Sequence, residues 1–216
     1  MCKFISTVGT VIIPYTGTKY FIIERIDVHG DVQQVVLETS RLLMRRYREE
    51  DAKSVYQVVS QRAIAETTIM LPHPYPRQTV DWWINYVNGN FDQGKAYEFG
   101  LFKKDSPGDY IGNCGLVSIS GEHNNGELGF FVRPEDWNTG YATEACQALL
   151  EFGFDNLGLE RIFGRCMAKN PGSKRVMEKS GLTLEGLARH EVLKWGMYED
   201  VWHLGVVRSE WLSHRV

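Results

Sequence analysis

Residues 133–154 read RPEDWNTGYATEACQALLEFGF. A short polar loop containing Asn138, Thr139 and Gly140 runs directly into an amphipathic stretch that reads as a helix. Small residues at a helix mouth let the backbone approach a ligand closely. The N–H groups of the first turn have no intrahelical acceptor and so favour an anion. The identity of that anion decides both the fold and the chemistry.

Three phosphate-bearing ligands are candidates. A Walker loop needs Gly-Lys-Ser/Thr after the turn, and none follows. A dinucleotide fingerprint needs G-x-G-x-x-G directly after a strand, and only Gly140 stands here. The pyrophosphate of coenzyme A is the third, and it needs no metal where several backbone N–H groups converge.

Outward from the loop, 127–132 reads as a strand leading into it. Segments 97–103 and 110–119 read as a hairpin around the turn signal at 105–109. Upstream, prolines at 72, 74 and 76 exclude regular structure. A helix is predicted from about 78 to 91, with Val80, Trp83, Ile84 and Val87 at helical spacing. An earlier helix runs from 48 to about 61, its first turn rich in carboxylates. Residues 35–47 read as one strand, and 11–15 with 20–28 as a hairpin about a glycine turn. Downstream, the central helix ends near Gly158 and 159–167 is a strand. Residues 170–181 form a helix with Pro171 and Ser173 at its start, and 182–187 and 198–207 are strands. The order predicts an α+β fold, a mixed sheet crossed by helices.

The chain has 216 residues, 43% hydrophobic and 24% charged, enough for one large core. A formal net charge of −3 gives no general attraction to nucleic acid or anionic lipid. No apolar run reaches membrane-spanning length and no secretory signal stands at the start, so a cytoplasmic protein without membrane or nucleic-acid partners is expected. Cys2, Cys114, Cys146 and Cys166 form no C-x-x-C pair, so they read as buried small hydrophobes and no metal site is expected.

The strand, the polar turn and WNTGYATEA at 137–145 resemble the acyl-CoA site of the GNAT N-acetyltransferases. More narrowly they resemble the RimJ/RimL-type branch, which acetylates protein N-terminal amines. The family pattern Gln/Arg-x-x-Gly-x-Gly/Ala is met at Gly140 and Ala142, with Trp137 in the Gln/Arg position, a departure the branch shares. LETSRLLMR at 37–45, NPGSKRVMEKSG at 170–181 and MYEDV at 197–201 follow in the family's order. The resemblance implies a GNAT fold: a mixed, mostly antiparallel sheet with a splayed parallel strand pair and helices on both faces. It also implies 1–34 as an extension and 35–216 as the domain. It implies acetyl-CoA as co-substrate, its pyrophosphate on Asn138, Thr139, Gly140, Tyr141, Ala142 and Thr143. The backbone of Phe130, Phe131 and Val132 would pair with pantetheine and polarise the acetyl carbonyl. Asn170 would contact the cofactor, and Ser173 would stand near the departing sulfur.

Acetylating an amine requires the neutral nucleophile. An α-amine with a pKa of about 7.7–8.0 costs only about 1 kcal/mol to neutralise near pH 7, against roughly 4–5 kcal/mol for a lysine at about 10.4. A modest base therefore suffices for an α-amine. Glu127, at the start of its strand, is the first candidate, Glu98 on the neighbouring strand the second, and Glu66 the third. Glu144 reads as a brace for the loop. The 71–76 loop and Trp82 are expected to line the acceptor groove, with His73 exposed. The expected acceptor is the N-terminal α-amine of a protein. The alternatives are a small-molecule amine (polyamine, amino acid or aminoglycoside) and a catalytically silent acyl-CoA-binding module. The edges of the N-terminal hairpin add a homodimer as an expectation.

Overall fold

In a computed structural model of the chain, residues 35–213 are described, together with the backbone of 25–26 and 32–33. Those last residues form β1 (Arg25–Ile26) and β2 (Val32–Gln33), paired antiparallel. The hairpin predicted for 11–15 with 20–28 lies outside the described residues, apart from 25–26.

The main sheet has eight strands in the order β3-β4-β5-β6-β7-β8-β10-β9. They are β3 (Leu37–Glu38), β4 (Leu42–Arg45), β5 (Tyr97–Lys103), β6 (Ser106–Ser120), β7 (Asn125–Val132), β8 (Arg161–Met167), β9 (Thr183–Lys194) and β10 (Met197–Val207). β7 and β8 are the parallel neighbours, and the other pairs in this sheet are antiparallel. The helices are α1 (Ala52–Val59), α2 (Arg62–Thr67), α3 (Thr79–Asp92), α4 (Tyr141–Glu151), α5 (Pro171–Lys179) and α6 (Arg208–Ser213).

Two cores sandwich the sheet, which is why Tyr110–Leu116 in β6 is an unbroken buried run instead of an alternating one. On one face, Ala145, Leu149 and Leu150 of α4 pack with Phe99, Leu116, Leu128 and Ile162. On the other, Val55, Val58, Ile64, Val80, Ile84 and Val87 from α1, α2 and α3 pack over Tyr47, Phe102 and Tyr110. Among the described residues no helix is long and apolar enough to cross a membrane.

Several boundaries differ from the sequence reading. Residues 35–47 form two short strands, because Thr39, Ser40 and Arg41 turn to reach Glu144 on α4. The helix expected over 48–61 is a 3₁₀ turn (Glu49–Asp51), then α1, then an extended Gln61 and α2, which places Glu66 in a helix. The β5–β6 turn is tighter than expected: Lys103 pairs with Ser106, and Pro107 and Gly108 occupy the exposed start of β6. β9 runs well past residue 187, to a turn at Trp195 and Gly196 with φ of 51° and 81°. Positive φ at both central residues matches the right-handed twist of a hairpin. After Glu151, α4 widens into a π-helical turn (Phe152–Asn156), and α6 is an element the sequence reading did not include.

The feature that positions the site is the parallel pair. β7 and β8 stay in register from Asn125↔Arg161 to Leu128↔Gly164, and pairing stops there although both strands continue. A gap therefore opens from Gly129 onward, pointing at the mouth of α4.

Candidate active site

The loop before α4 is fixed at both ends. Trp137 Nε1 donates to the Val132 carbonyl at 2.6 Å, and Thr139 Oγ1 donates to the Asp136 carbonyl at 2.6 Å. Arg133 holds Asp109 and Asp136 together beneath it. Asn138 (φ 62°) and Gly140 (φ 89°) both take left-handed backbone, so the chain reverses within three residues and enters the helix. The first intrahelical bond runs from Glu144 N–H to the Gly140 carbonyl at 3.0 Å. The N–H groups of Tyr141, Ala142 and Thr143 thus have no intrahelical acceptor and open onto the mouth.

Glu144 faces away from that mouth. Its carboxylate accepts from Thr39 Oγ1, from Ser40 Oγ at 2.9 Å, from Arg41 N–H at 2.8 Å and from Arg41 Nε at 2.7 Å. Burial alone would raise this carboxyl, but the Thr39, Arg41 and Ser40 donors outweigh it and hold it below its ordinary range. The latch delivers Arg41 to the site. Its guanidinium lies 4.4 Å from the centre of the Tyr141 ring and donates to the Thr139 carbonyl at 3.0 Å. A Cβ added at Gly140 would stand 3.4 Å from Arg41 Nη2. Free backbone donors flanked by a half-exposed guanidinium suit a diphosphate. The sequence reading placed Glu144 as a brace but missed Arg41, whose only signal was its place in the ETSR turn.

Beyond this mouth, backbone lines the gap between β7 and β8. Phe130 packs into the core around α4, Phe131 into the opposite core, and Val132 is buried. Their side chains are structural, so what β7 presents to the gap beyond Leu128 is main chain. On the β8 side, Ser173 hydrogen-bonds the Cys166 thiol, which burial pushes up to about 11. Burial also pushes the Cys146 thiol up. Cys114, Cys146 and Cys166 are buried and free, as the sequence reading has them, while Cys2 lies outside the described residues. A thiolate nucleophile does not fit such surroundings.

Asn170 caps α5, its Oδ1 accepting from Ser173 N–H at 3.1 Å, while its Nδ2 donates to the Thr67 carbonyl at 2.9 Å. It therefore ties the β8–α5 corner to the end of α2. Lys194 completes that tie. Its ammonium is buried and donates to the carbonyls of Thr68, Ile69 and Leu71 at 3.0, 3.3 and 2.7 Å. Burial lowers its pKa, with the nearby Lys169 charge adding to the effect. The segment after α2, which carries the proline-rich turn, is thus stapled to β9. Nothing in the sequence marked this lysine. His73 is half-buried rather than exposed, with its Nδ1 enclosed. Trp83 packs edge-on against Tyr47, whereas Trp82 stacks on Tyr86 along the solvent side of α3.

The face of the sheet beneath α1, α2 and α3 carries the candidate bases. Glu127 sits on the closed part of the parallel pair, and both its oxygens accept from Arg165, at 2.9 and 3.3 Å. Arg165 also holds Glu191 at 3.1 Å, and Glu191 contacts His203 at 2.5 Å. Glu98 lies on β5 with no cationic partner among the described residues, 3.5 Å from Asn113 Nδ2. Burial pushes its carboxyl up to about 7, with the Asn113 hydrogen bond opposing. Glu66 pairs with Arg62 on the surface of α2. The structure therefore sets 138–143 between β7 and the start of α4, Ser173 against Cys166 of β8, and Glu127 and Glu98 on the sheet face beneath α1, α2 and α3. Among the described residues no group of three or more His, Cys, Asp or Glu side chains is placed to hold a metal ion.

Comparison with known proteins agrees with this geometry. Residues 41–183 match the model of the acetyltransferase (GNAT) domain. An uncharacterized N-acetyltransferase, YnaD of Bacillus subtilis (strain 168), is 31% identical over 175 residues, covering 81% of this chain and 98% of its own. The spermidine N-acetyltransferase of Vibrio cholerae, solved with CoA and spermine, superposes with a TM-score of 0.70 at 22% identity over 81% of this chain and 99% of its own. A ribosomal-protein-S5-alanine acetyltransferase from Vibrio fischeri superposes with a TM-score of 0.73 at 18% identity, over 82% and 98%. With the family model covering most of the domain and the gap and helix mouth in place, the chain belongs to the GNAT acetyltransferases and is an acyl-CoA-dependent N-acetyltransferase that uses acetyl-CoA.

Proposed function

We propose that the acceptor is the N-terminal α-amine of a protein, in the manner of the RimJ/RimL branch, acetylated within a ternary complex. The backbone donors of 138–143 and Arg41 hold the diphosphate, the β7 edge at Phe130, Phe131 and Val132 orients the pantetheine arm, and Ser173 meets the sulfur. Acetyl-CoA supplies an activated acyl group, and the chain's own work is to align it and to receive the amine in its neutral form.

The observation that carries the choice of acceptor is the charge balance of the open face. Glu127 and Glu191 are held by Arg165, Asp51 by Arg45, and Glu66 by Arg62. A polyamine brings several positive charges and needs several uncommitted carboxylates to hold them. A single α-amine needs one. A carboxyl near 7 also matches an amine near 8 far better than a side-chain lysine near 10.

The spermidine acetyltransferase among the relatives makes a small-molecule amine the competing acceptor. A thiol-release assay with acetyl-CoA separates the two, using peptides with free N-termini, spermidine, spermine and free amino acids. Peptide-dependent release that disappears when the peptide's N-terminus is blocked is the expected result. Release that is fastest with a polyamine or free amino acid moves the acceptor to the small-molecule class.

A further inference from the structure

We infer that Glu98, and not Glu127, accepts the proton from the acceptor amine. The inference rests on the amine-acetylation reading and adds the residue that performs its proton transfer. Its basis is the register across three strands. Glu98 on β5 lies opposite Gly115 on β6, and Gly115 lies opposite Gly129 on β7, so all three present the same face of the sheet.

Gly129 is the first β7 residue past the last parallel pair, Leu128↔Gly164, and so stands at the vertex of the gap. A Cβ added there would meet no atom within 4 Å, so the space above the vertex is open. A Cβ at Gly115 would fall 2.7 Å from Glu98 Cγ, because the glutamate side chain already lies across β6. Two glycines in register thus form a trough with Glu98 at one end and the vertex at the other. Neighbouring strands are ~4.8 Å apart, so the carboxylate is about one strand spacing from the vertex, a span closed by the amine itself or one water.

The surroundings favour this residue over its rival. Facing Glu98 are Asn113 and Tyr110 from β6 and Tyr47 beyond β4, with the Arg45–Asp51 ion pair compensated within itself. None of these is an unpaired cation, and burial raises the carboxyl to about 7. Across the trough Arg165 ion-pairs with both Glu127 and Glu191. Both Glu127 oxygens are engaged by Arg165, so Glu127 acts with Arg165 as a positioning pair on the closed part of β7 and β8. In the reaction the C–N bond forms as the C–S bond breaks, the sulfur leaves with the bonding pair, and the nitrogen's surplus proton passes to Glu98.

The test compares pH profiles of kcat/KM for the wild type, Glu98→Gln and Glu127→Gln with the best amine acceptor. Glu98→Gln is expected to lose about 10²–10³-fold and one of the two ionisations in the acid limb, so that its slope falls from two to one and only the amine's own ionisation remains, with CoA affinity by calorimetry unchanged. Glu127→Gln is expected to keep both ionisations. In the ligand-free protein, carboxyl ¹³C NMR is expected to show one glutamate titrating near neutrality that vanishes in Glu98→Gln. An acid limb of slope two that persists in Glu98→Gln, or a Glu98 that titrates in the ordinary acid range, overturns the inference while leaving amine acetylation standing. A wild type that releases no thiol with any amine overturns the functional reading instead, and the NMR titration still decides the state of Glu98.

Discussion

Replacing Glu98 with Gln should stabilise the protein at alkaline pH, and the size of the effect follows from its surroundings. Burial raises this carboxyl to about 7, against an ordinary glutamate near 4.3. Between those values the unfolded chain has released its proton while the folded chain still holds it. The folded state then binds more protons, so stability falls as pH rises through the window, and the cost is complete above the folded value. At ~1.36 kcal/mol per pH unit the full cost is roughly 3–4 kcal/mol. Gln keeps the shape and the hydrogen bond to Asn113 and has no charge to desolvate. Urea denaturation at pH 5 and pH 8.5 reads the effect, and subtracting variant from wild type cancels the other titrating groups. The difference should change by about 3 kcal/mol between the two pH values, or on the order of 1 M in midpoint. Parallel stability curves for the two proteins would refute the idea that Glu98 is desolvated.

Other expectations follow from the same contacts. Glu144→Ala removes the ion pair and hydrogen bonds that latch 39–41 to α4, and should cost about 2–3 kcal/mol, or roughly 5–10 °C in Tm by calorimetry. Because this carboxyl is held below its ordinary range, its contribution should persist at neutral pH and disappear as pH falls through the acid range. Lys194→Met frees the carbonyls of Thr68, Ile69 and Leu71, so KM for the amine should rise in steady-state kinetics while CoA affinity holds. In a Cys2→Ser background, Cys114, Cys146 and Cys166 should resist a thiol reagent until urea unfolds the chain.

What the sequence made legible was the set of segments whose roles are local. The loop and helix at 133–154 carry their own glycine chemistry and amphipathic pattern, and the structure reproduces them with Gly140 in left-handed backbone. Glu144 as a brace was readable from its place in the first turn. The turn after β3 was not, because the residues that break 35–47 into two strands do so for a partner on α4 far along the chain. The same reason hides Lys194, and the bond from Asn170 to Thr67, since both serve carbonyls on another element. The sequence ranks Glu127 ahead of Glu98 as strand glutamates, and the contacts that set them apart, the three-strand register and the Arg165 ion pair, are long-range and so were not legible there.

The central claim is that the backbone at the start of α4 grips the diphosphate of coenzyme A. Calorimetric titration of wild type and Gly140→Asp with CoA and with pantetheine, which lacks the diphosphate, addresses it most directly. Aspartate is among the residues that tolerate left-handed backbone, so the variant should fold while placing a like charge at the mouth. CoA should bind the wild type at least ~100-fold more tightly than pantetheine does, about 2.7 kcal/mol, and the variant should lose that advantage. Equal affinity for the two ligands, or unchanged CoA binding in Gly140→Asp, would contradict the account.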